Sequence, residues 1–193
     1  MGKGRLEAFS DGVFAIIITI MVLELHPPEG ASFAALKPVL PKFISYVLSF
    51  TYIAIYWNNH HHMFQAVKHV NGKVLWCNIL LLFCLSLVPF VTAWMGENHF
   101  SSSPVALYGI VLLMSALSYP VLLHSLIKLH GKDSLIATSI GKDFKGKISI
   151  AIYCAGILVS FINSWMAFAL YVLVAIIWFI PDRRIEKRIE KDT

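Results

Sequence analysis

Residues 5–25 read RLEAFSDGVFAIIITIMVLEL, and most of this stretch is apolar. After Asp11 it carries no charged residue until Glu24. A membrane-spanning helix needs about 20 largely apolar residues, because each residue advances about 1.5 Å through a hydrocarbon core of about 30 Å. The stretch therefore predicts a first transmembrane helix. We expect it to be retained rather than cleaved as a leader, since it lacks a convincing small-residue cleavage site.

The rest of the chain has the same apolar character. Apolar residues make up 58% of the 193 residues and charged residues only 14%, whereas soluble domains carry about 25% charged residues. This composition excludes a soluble domain and predicts an all-α, polytopic integral membrane protein with one domain over residues 1–193. The six predicted transmembrane helices lie at about 6–25, 38–57, 73–95, 104–129, 148–161 and 165–180, and a charged cytoplasmic tail follows at 182–193.

The positions of Lys and Arg predict the orientation of the helices. With the N-terminus inside, Lys37 and Lys42 are the basic residues that fall on the outer side. Because basic residues are enriched in cytoplasmic segments, we expect both termini in the cytoplasm. The net charge of +5 is explained by this orientation, and no nucleic-acid partner is expected. The inner residues are Lys3, Arg5, Lys68, Lys73, Lys128, Lys132, Lys142, Lys145, Lys147, Arg183, Arg184, Lys187, Arg188 and Lys191.

Three short motifs carry a family resemblance. The first is R-x-x-x-F-S-D over residues 5–11, and the second is W-x-x-H-H-x-x-F over residues 57–64. The third is W-x-N at 76–78, followed by Pro-Phe at 89–90. Together they resemble the transmembrane-protein-175 family, the lysosomal potassium channels of animals, which has single-repeat prokaryotic relatives. The resemblance extends over all 193 residues in helix order and length.

This resemblance implies a potassium-selective, leak-like cation channel rather than an enzyme. It implies a homotetramer in the lipid bilayer of a prokaryotic plasma membrane, with monovalent cations as permeant partners, K⁺ as the permeant ion, no cofactor and no metal site. The first helix of each copy would line one central pore. The sequence contains no TVGYG-like filter loop or P-loop, so selectivity would come from a narrow apolar constriction and nearby polar oxygens.

One stripe of the first helix is the candidate pore lining. At about 100° per residue, Ile16, Ile20 and Leu23 share a stripe with Thr19 on its flank. Such a stripe on a membrane helix ordinarily packs or contacts lipid, and the resemblance is what implies aliphatic constrictions and a threonine layer here. Glu24 lies about 80° from Ile16, and it fits equally a cation-collecting carboxylate or an ordinary one at headgroup level.

A second set of residues is a candidate structural lock for the first helix. A carboxylate such as Asp11 costs roughly 2.5–3.5 kcal/mol if it lies deep in lipid, so we expect it to accept a hydrogen bond from a histidine or from the Trp57 indole. The resemblance implies a lock, and direct ion handling is the alternative. The helix lock comprises Arg5, Phe9, Ser10, Asp11, Trp57, His60, His61 and Asn78.

Other readings of the sequence have less support. Three consecutive histidines, His60 to His62, point in different directions around a helix and are a poor metal site, although a pH-sensing role stays open. A secondary transporter of a small cation or solute is the alternative function, but neither inverted repeats nor broken helices are evident. An intramembrane enzyme would need a nucleophile, a base and oxyanion donors, and the sequence offers no such set.

Overall fold

Helices form nearly all of the described chain, which comprises residues 2–140 and 144–179 of a computed structural model. The all-α prediction is therefore confirmed. The first half contains α1 (Gly4–Leu23), a 3₁₀ helix (Phe33–Val39), α2 (Leu40–Gln65), α3 (Gly72–Ser86) and α4 (Val88–Glu97). The second half contains α5 (Ser102–His130), α6 (Leu135–Ile140), α7 (Phe144–Ser160) and α8 (Ser164–Phe179). The predicted tail at 182–193 lies outside the described residues.

Four helical segments of the described chain are long and apolar enough to cross a membrane. They are Gly4–Leu23, Phe33–Gln65, Gly72–Glu97 and Ser102–His130, and the shorter Ser164–Phe179 is also apolar. Large apolar side chains are widely exposed on the surface of the subunit, including Phe33 at 93% and Ile162 at 87%. A surface of this kind is suited to lipid or to other subunits rather than to water.

The helix boundaries differ from the expected ones at two places. α2 runs to Gln65 instead of ending near Trp57, because the polar residues after Trp57 lower the hydropathy but include neither Gly nor Pro to stop the helix. The expected third helix is divided at Leu87 into α3 and α4. Pro89 lies in the first turn of α4, where its missing N–H leaves no helical hydrogen bond unmade.

The helices pack in an order that places α1 on one side of the bundle. α1 lies against α2, α3 and α4, while α5 packs on α3 and α7, and α7 packs on α8. Hydroxyl groups join the middle of the bundle, since the Thr92 hydroxyl donates to the Val88 carbonyl and Ser49 is 2.6 Å from Thr92 and 3.0 Å from the Tyr108 hydroxyl. Tyr108 therefore donates to Ser49 and Ser49 to Thr92, which links α5, α2 and α4.

Candidate functional site

α1 has one face against its own subunit and one face away from it. The buried face packs on α2, α3 and α4 and consists of Leu6, Ser10, Phe14, Ile17 and Met21. The predicted pore-lining stripe lies on the opposite side, where Ile16 is 60%, Ile20 43% and Leu23 69% exposed. Thr19 is exposed beside them. The structure thus brings the four predicted residues onto one surface that the subunit itself does not cover.

The hydroxyl group of Thr19 has a defined orientation on this surface. It donates its hydrogen to the Ala15 carbonyl at 2.8 Å, one turn earlier in the same helix. A hydroxyl has one hydrogen and two acceptor lone pairs. With the hydrogen held by the helix, the remaining acceptor capacity of the Thr19 oxygen is available to a ligand outside α1.

A buried chain of hydrogen bonds attaches α1 to α2 and α3. The Nε2 atom of His60 lies 2.8 Å from Oδ1 of Asn78, and Nδ2 of Asn78 donates to the Ser10 hydroxyl at 3.0 Å. Ser10 in turn donates to the Leu6 carbonyl at 2.8 Å. Since Oδ1 can only accept, Nε2 of His60 carries a hydrogen in this arrangement. The three side chains are at most 1% exposed, so none of these bonds can be exchanged readily for one to water.

A second, exposed layer of the helix lock lies beside this chain. The Trp57 indole N–H donates to Oδ1 of Asp11 at 3.0 Å. The His61 ring stacks on Trp57 with centroids 5.8 Å apart, and Nε2 of His61 accepts a hydrogen bond from the Gln65 amide at 2.8 Å. Of the two donors that the sequence allowed for Asp11, the structure selects the indole, because His60 is directed toward Asn78.

Two predicted members of the helix lock lie elsewhere. Phe9 is 59% exposed, and Arg5 is also exposed and makes no side-chain hydrogen bond or ion pair within residues 2–140 and 144–179. On a helical wheel both lie within about 20° of Ile16. They extend the stripe toward the N-terminal end of α1 instead of joining the hydrogen-bonded network. Glu24 is exposed just after the last residue of α1.

The structure adds anchoring contacts that the sequence did not predict. Phe14 meets the His60 ring edge-on with centroids 5.6 Å apart, and Phe64 packs on the same ring at 4.6 Å. The ammonium group of Lys3 donates to the Phe64 carbonyl at 2.6 Å. Phe64 belongs to the second motif, so the pattern marked the residue without indicating its contact. Together these groups enclose His60 and attach the start of α1 to the end of α2.

Comparison with known proteins gives concordant matches. A family profile described as the endosomal/lysosomal potassium channel TMEM175 matches residues 5–89. A potassium channel of Chryseobacterium sp. (strain P1-3) is 56% identical over 192 residues and is covered, like this chain, over 100% of its length. A potassium channel of Streptomyces collinus is 38% identical over 128 residues, 62% of each chain.

A solved structure also resembles this chain in three dimensions. The crystal structure of a lysosomal potassium-selective channel TMEM175 homolog from Chamaesiphon minutus superposes with a TM-score of 0.74 at 28% identity. The superposition covers 93% of this chain and 97% of the other. The fold is therefore shared over almost the entire length of both proteins.

Proposed function

This chain belongs to the TMEM175 family and is a potassium channel, and we propose that four copies of it enclose a single pore lined by α1. The resemblance noted in its motifs is confirmed by the family match and by the full-length relative. The family is one of ion channels rather than enzymes. The observation that carries the proposal is the uncovered face of α1, with Ile16, Thr19, Ile20 and Leu23 on one surface.

An oligomer follows from what a single face of one helix can do, and the family resemblance implies four copies. One α1 stripe cannot surround an ion, and rotation of identical subunits about an axis closes such surfaces into a ring. In that ring Ile16, Ile20 and Leu23 form apolar constrictions, and the Thr19 oxygens form a polar layer between them. Selectivity for K⁺ then depends on pore width together with these oxygens, because dehydration at the constriction has to be compensated by nearby acceptors.

The helix lock serves as the support for this pore. Asn78 of α3 donates a hydrogen bond to Ser10, and Trp57 of α2 donates one to Asp11. Both bonded residues of α1 lie one to three turns before the stripe. A pore constriction tolerates little displacement, so a rigid attachment of α1 supports a constant width. We assign the lock a structural role, and direct contact of Asp11 with permeating ions is not required for it.

The membrane arrangement is part of the proposal. Six spans in one domain over residues 1–193 are reached if α7 and α8 cross the membrane together with the four longer segments. Their 17 and 16 residues correspond to about 25 Å of helix, which a thinned or locally adapted bilayer accommodates at modest cost. Both termini and the charged tail at 182–193 then lie in the cytoplasm, as the Lys and Arg distribution favours, and the membrane is the plasma membrane of a prokaryote.

A secondary transporter would need a substrate chamber within each subunit. A cavity between α2, α5 and α7 is lined by Tyr52, Tyr56, Tyr119 and Tyr153 among others, but its volume is about 40 Å³. A water molecule needs roughly 10–15 Å³ of such volume, so the cavity has room for a few waters and not for an organic solute. This cavity is therefore too small to serve as such a chamber.

The experiment that tests the proposal compares reversal potentials in planar bilayers with opposed K⁺ and Na⁺ gradients. The wild-type current should reverse near the K⁺ potential. Ile16→Asn should keep the current but move its reversal toward zero, because the apolar constriction becomes hydrated. Ile176→Asn is the matched control, since Ile176 is 57% exposed on α8, which packs on α7. If the wild-type protein conducts K⁺ selectively and Ile16→Asn leaves that selectivity unchanged, the proposal that α1 lines the pore is wrong.

A further inference from the structure

A groove opens on the outside of the bundle between the start of α3 and the end of α5. Its volume is about 450 Å³, and its lining includes Lys73 and Cys77 of α3 and Val121, His124 and Lys128 of α5. We call this surface the basic groove. It lies at the end of the bundle that carries the N-terminus, because Gly2 pairs with His69 just before α3 and the Lys68 N–H donates to His130 at the end of α5.

The rim of the basic groove carries exposed cationic side chains that form no ion pair with the acidic residues in the described part of the chain. Lys73 and Lys128 are exposed, and the ion pairs found among residues 2–140 and 144–179 involve Lys3 and Lys42 instead. His124 donates from Nδ1 to the Pro120 carbonyl at 2.6 Å, since a carbonyl can only accept. In the neutral ring its Nε2 atom is then an acceptor and does not bind an anion. The rim therefore offers the two ammonium groups of Lys73 and Lys128 to an anion.

Below this rim an apolar track continues toward the middle of the bundle. Along α5, residues three or four positions apart occupy one exposed face, and they are Ile110, Met114, Leu117 and Val121, at 39%, 37%, 48% and 48% exposed. On α3 the exposed apolar residues Trp76, Leu80 and Phe83 follow Lys73 at helical spacing. Residues at this spacing share one side of a helix, so on each of the two helices an apolar track adjoins the rim lysine.

We propose that the basic groove binds an anionic glycerophospholipid, with its phosphate between Lys73 and Lys128 and an acyl chain along the track. Charge complementarity identifies the headgroup, and the apolar track identifies a lipid rather than a soluble anion. Basic pockets between transmembrane helices on the cytoplasmic side are suited to anionic headgroups. Trp76, 74% exposed one turn after Lys73, lies where an interfacial tryptophan is expected. The site is separate from the α1 stripe, and it does not depend on conduction.

The test measures tryptophan quenching in vesicles of phosphatidylglycerol and phosphatidylcholine, with bromine on the acyl chains of one lipid at a time. Brominated phosphatidylglycerol should quench the fluorescence of the wild-type protein at a lower mole fraction than brominated phosphatidylcholine. We expect a preference for phosphatidylglycerol on the order of thirtyfold, because each of the two lysines near the headgroup contributes about 1 kcal/mol. Trp76→Phe should remove the preferential part of the quenching. Lys73→Gln with Lys128→Gln should bring the preference to about one, and Lys73→Arg with Lys128→Arg should retain it.

The control removes the same charge elsewhere at the same end of the protein. Lys68→Gln with Lys132→Gln involves two exposed lysines outside the groove and should leave the preference unchanged. Equal quenching of the wild-type protein by the two brominated lipids would overturn the proposal, as would an equal loss in the control variant. Inorganic phosphate should not displace the brominated lipid, and complete displacement would show a simple anion site instead.

Discussion

Replacing Asn78 by alanine should destabilise the subunit more than replacing any other polar residue of α3 by alanine. The side chain accepts from His60 at 2.8 Å and donates to Ser10 at 3.0 Å, and all three residues are at most 1% exposed. Alanine removes both bonds and leaves a buried imidazole N–H without its acceptor. Side-chain hydrogen bonds within membranes average about 0.6 kcal/mol, with a maximum near 1.7, and an orphaned buried group costs about 1–3 kcal/mol. The sum is a loss of roughly 2–4 kcal/mol.

The assay is equilibrium unfolding in mixed detergent micelles, followed by tryptophan fluorescence. Asn59→Ala is the matched control, because the Asn59 side chain donates to the Ile55 carbonyl within its own helix, and its loss should change stability by less than about 0.5 kcal/mol. A double-mutant cycle with Ser10→Ala should be non-additive by about 0.5–1 kcal/mol, since the two residues share a bond. If Asn78→Ala unfolds at the same denaturant concentration as Asn59→Ala, the buried chain is not what attaches α1.

Three further outcomes are expected. Tyr171→Phe should leave stability unchanged or raise it by up to about 1 kcal/mol in the same unfolding assay, because the buried hydroxyl has no partner among the described residues; a clear loss would contradict this. Gly109→Ala should cost roughly 1–3 kcal/mol, since the added Cβ would lie 2.6 Å from Cζ of Tyr171, and a fully stable variant would show that the ring can move away. Thr19→Val should lower K⁺ current or selectivity in bilayers without lowering stability, whereas Thr19→Ser should retain both; equal behaviour of the two variants would exclude a role for the hydroxyl oxygen.

The sequence was most informative where one physical property dominated. Hydropathy alone located helical segments that are long and apolar enough to cross a membrane, such as Gly72–Glu97. Polar residues after Trp57 misled the boundary of α2, because hydropathy measures membrane depth while helix termination depends on Gly, Pro and caps. In the sequence Pro89 indicates a break between α3 and α4. Because the residues around it are all apolar, hydropathy does not show this break, and only the backbone of the structure does.

For the candidate site, the sequence indicated candidate residues on α1, α2 and α3 but not which of their side chains contact one another. It predicted a hydrogen-bond donor for Asp11 but did not decide between a histidine and Trp57, because both lie near the same end of α2. The choice depends on the rotation of α2, which directs His60 inward to Asn78 and leaves the indole for Asp11. Arg5 and Phe9 were grouped with the helix lock by proximity in the motif, whereas their angular position places them with the exposed stripe.

The most direct test of the α1 pore is thiol modification of the conducting channel. Ile16→Cys would be introduced after Cys77, Cys84 and Cys154 are replaced by alanine, with Ile176→Cys as the control of similar exposure. A charged, membrane-impermeant thiol reagent should block the K⁺ current of the Ile16→Cys channel and leave that of the Ile176→Cys channel unchanged. Mass spectrometry would verify that the introduced cysteine at position 16 is labelled. If the labelled Ile16→Cys channel still carries its full current, α1 does not line the pore, because a modified residue on the pore axis cannot leave conduction intact.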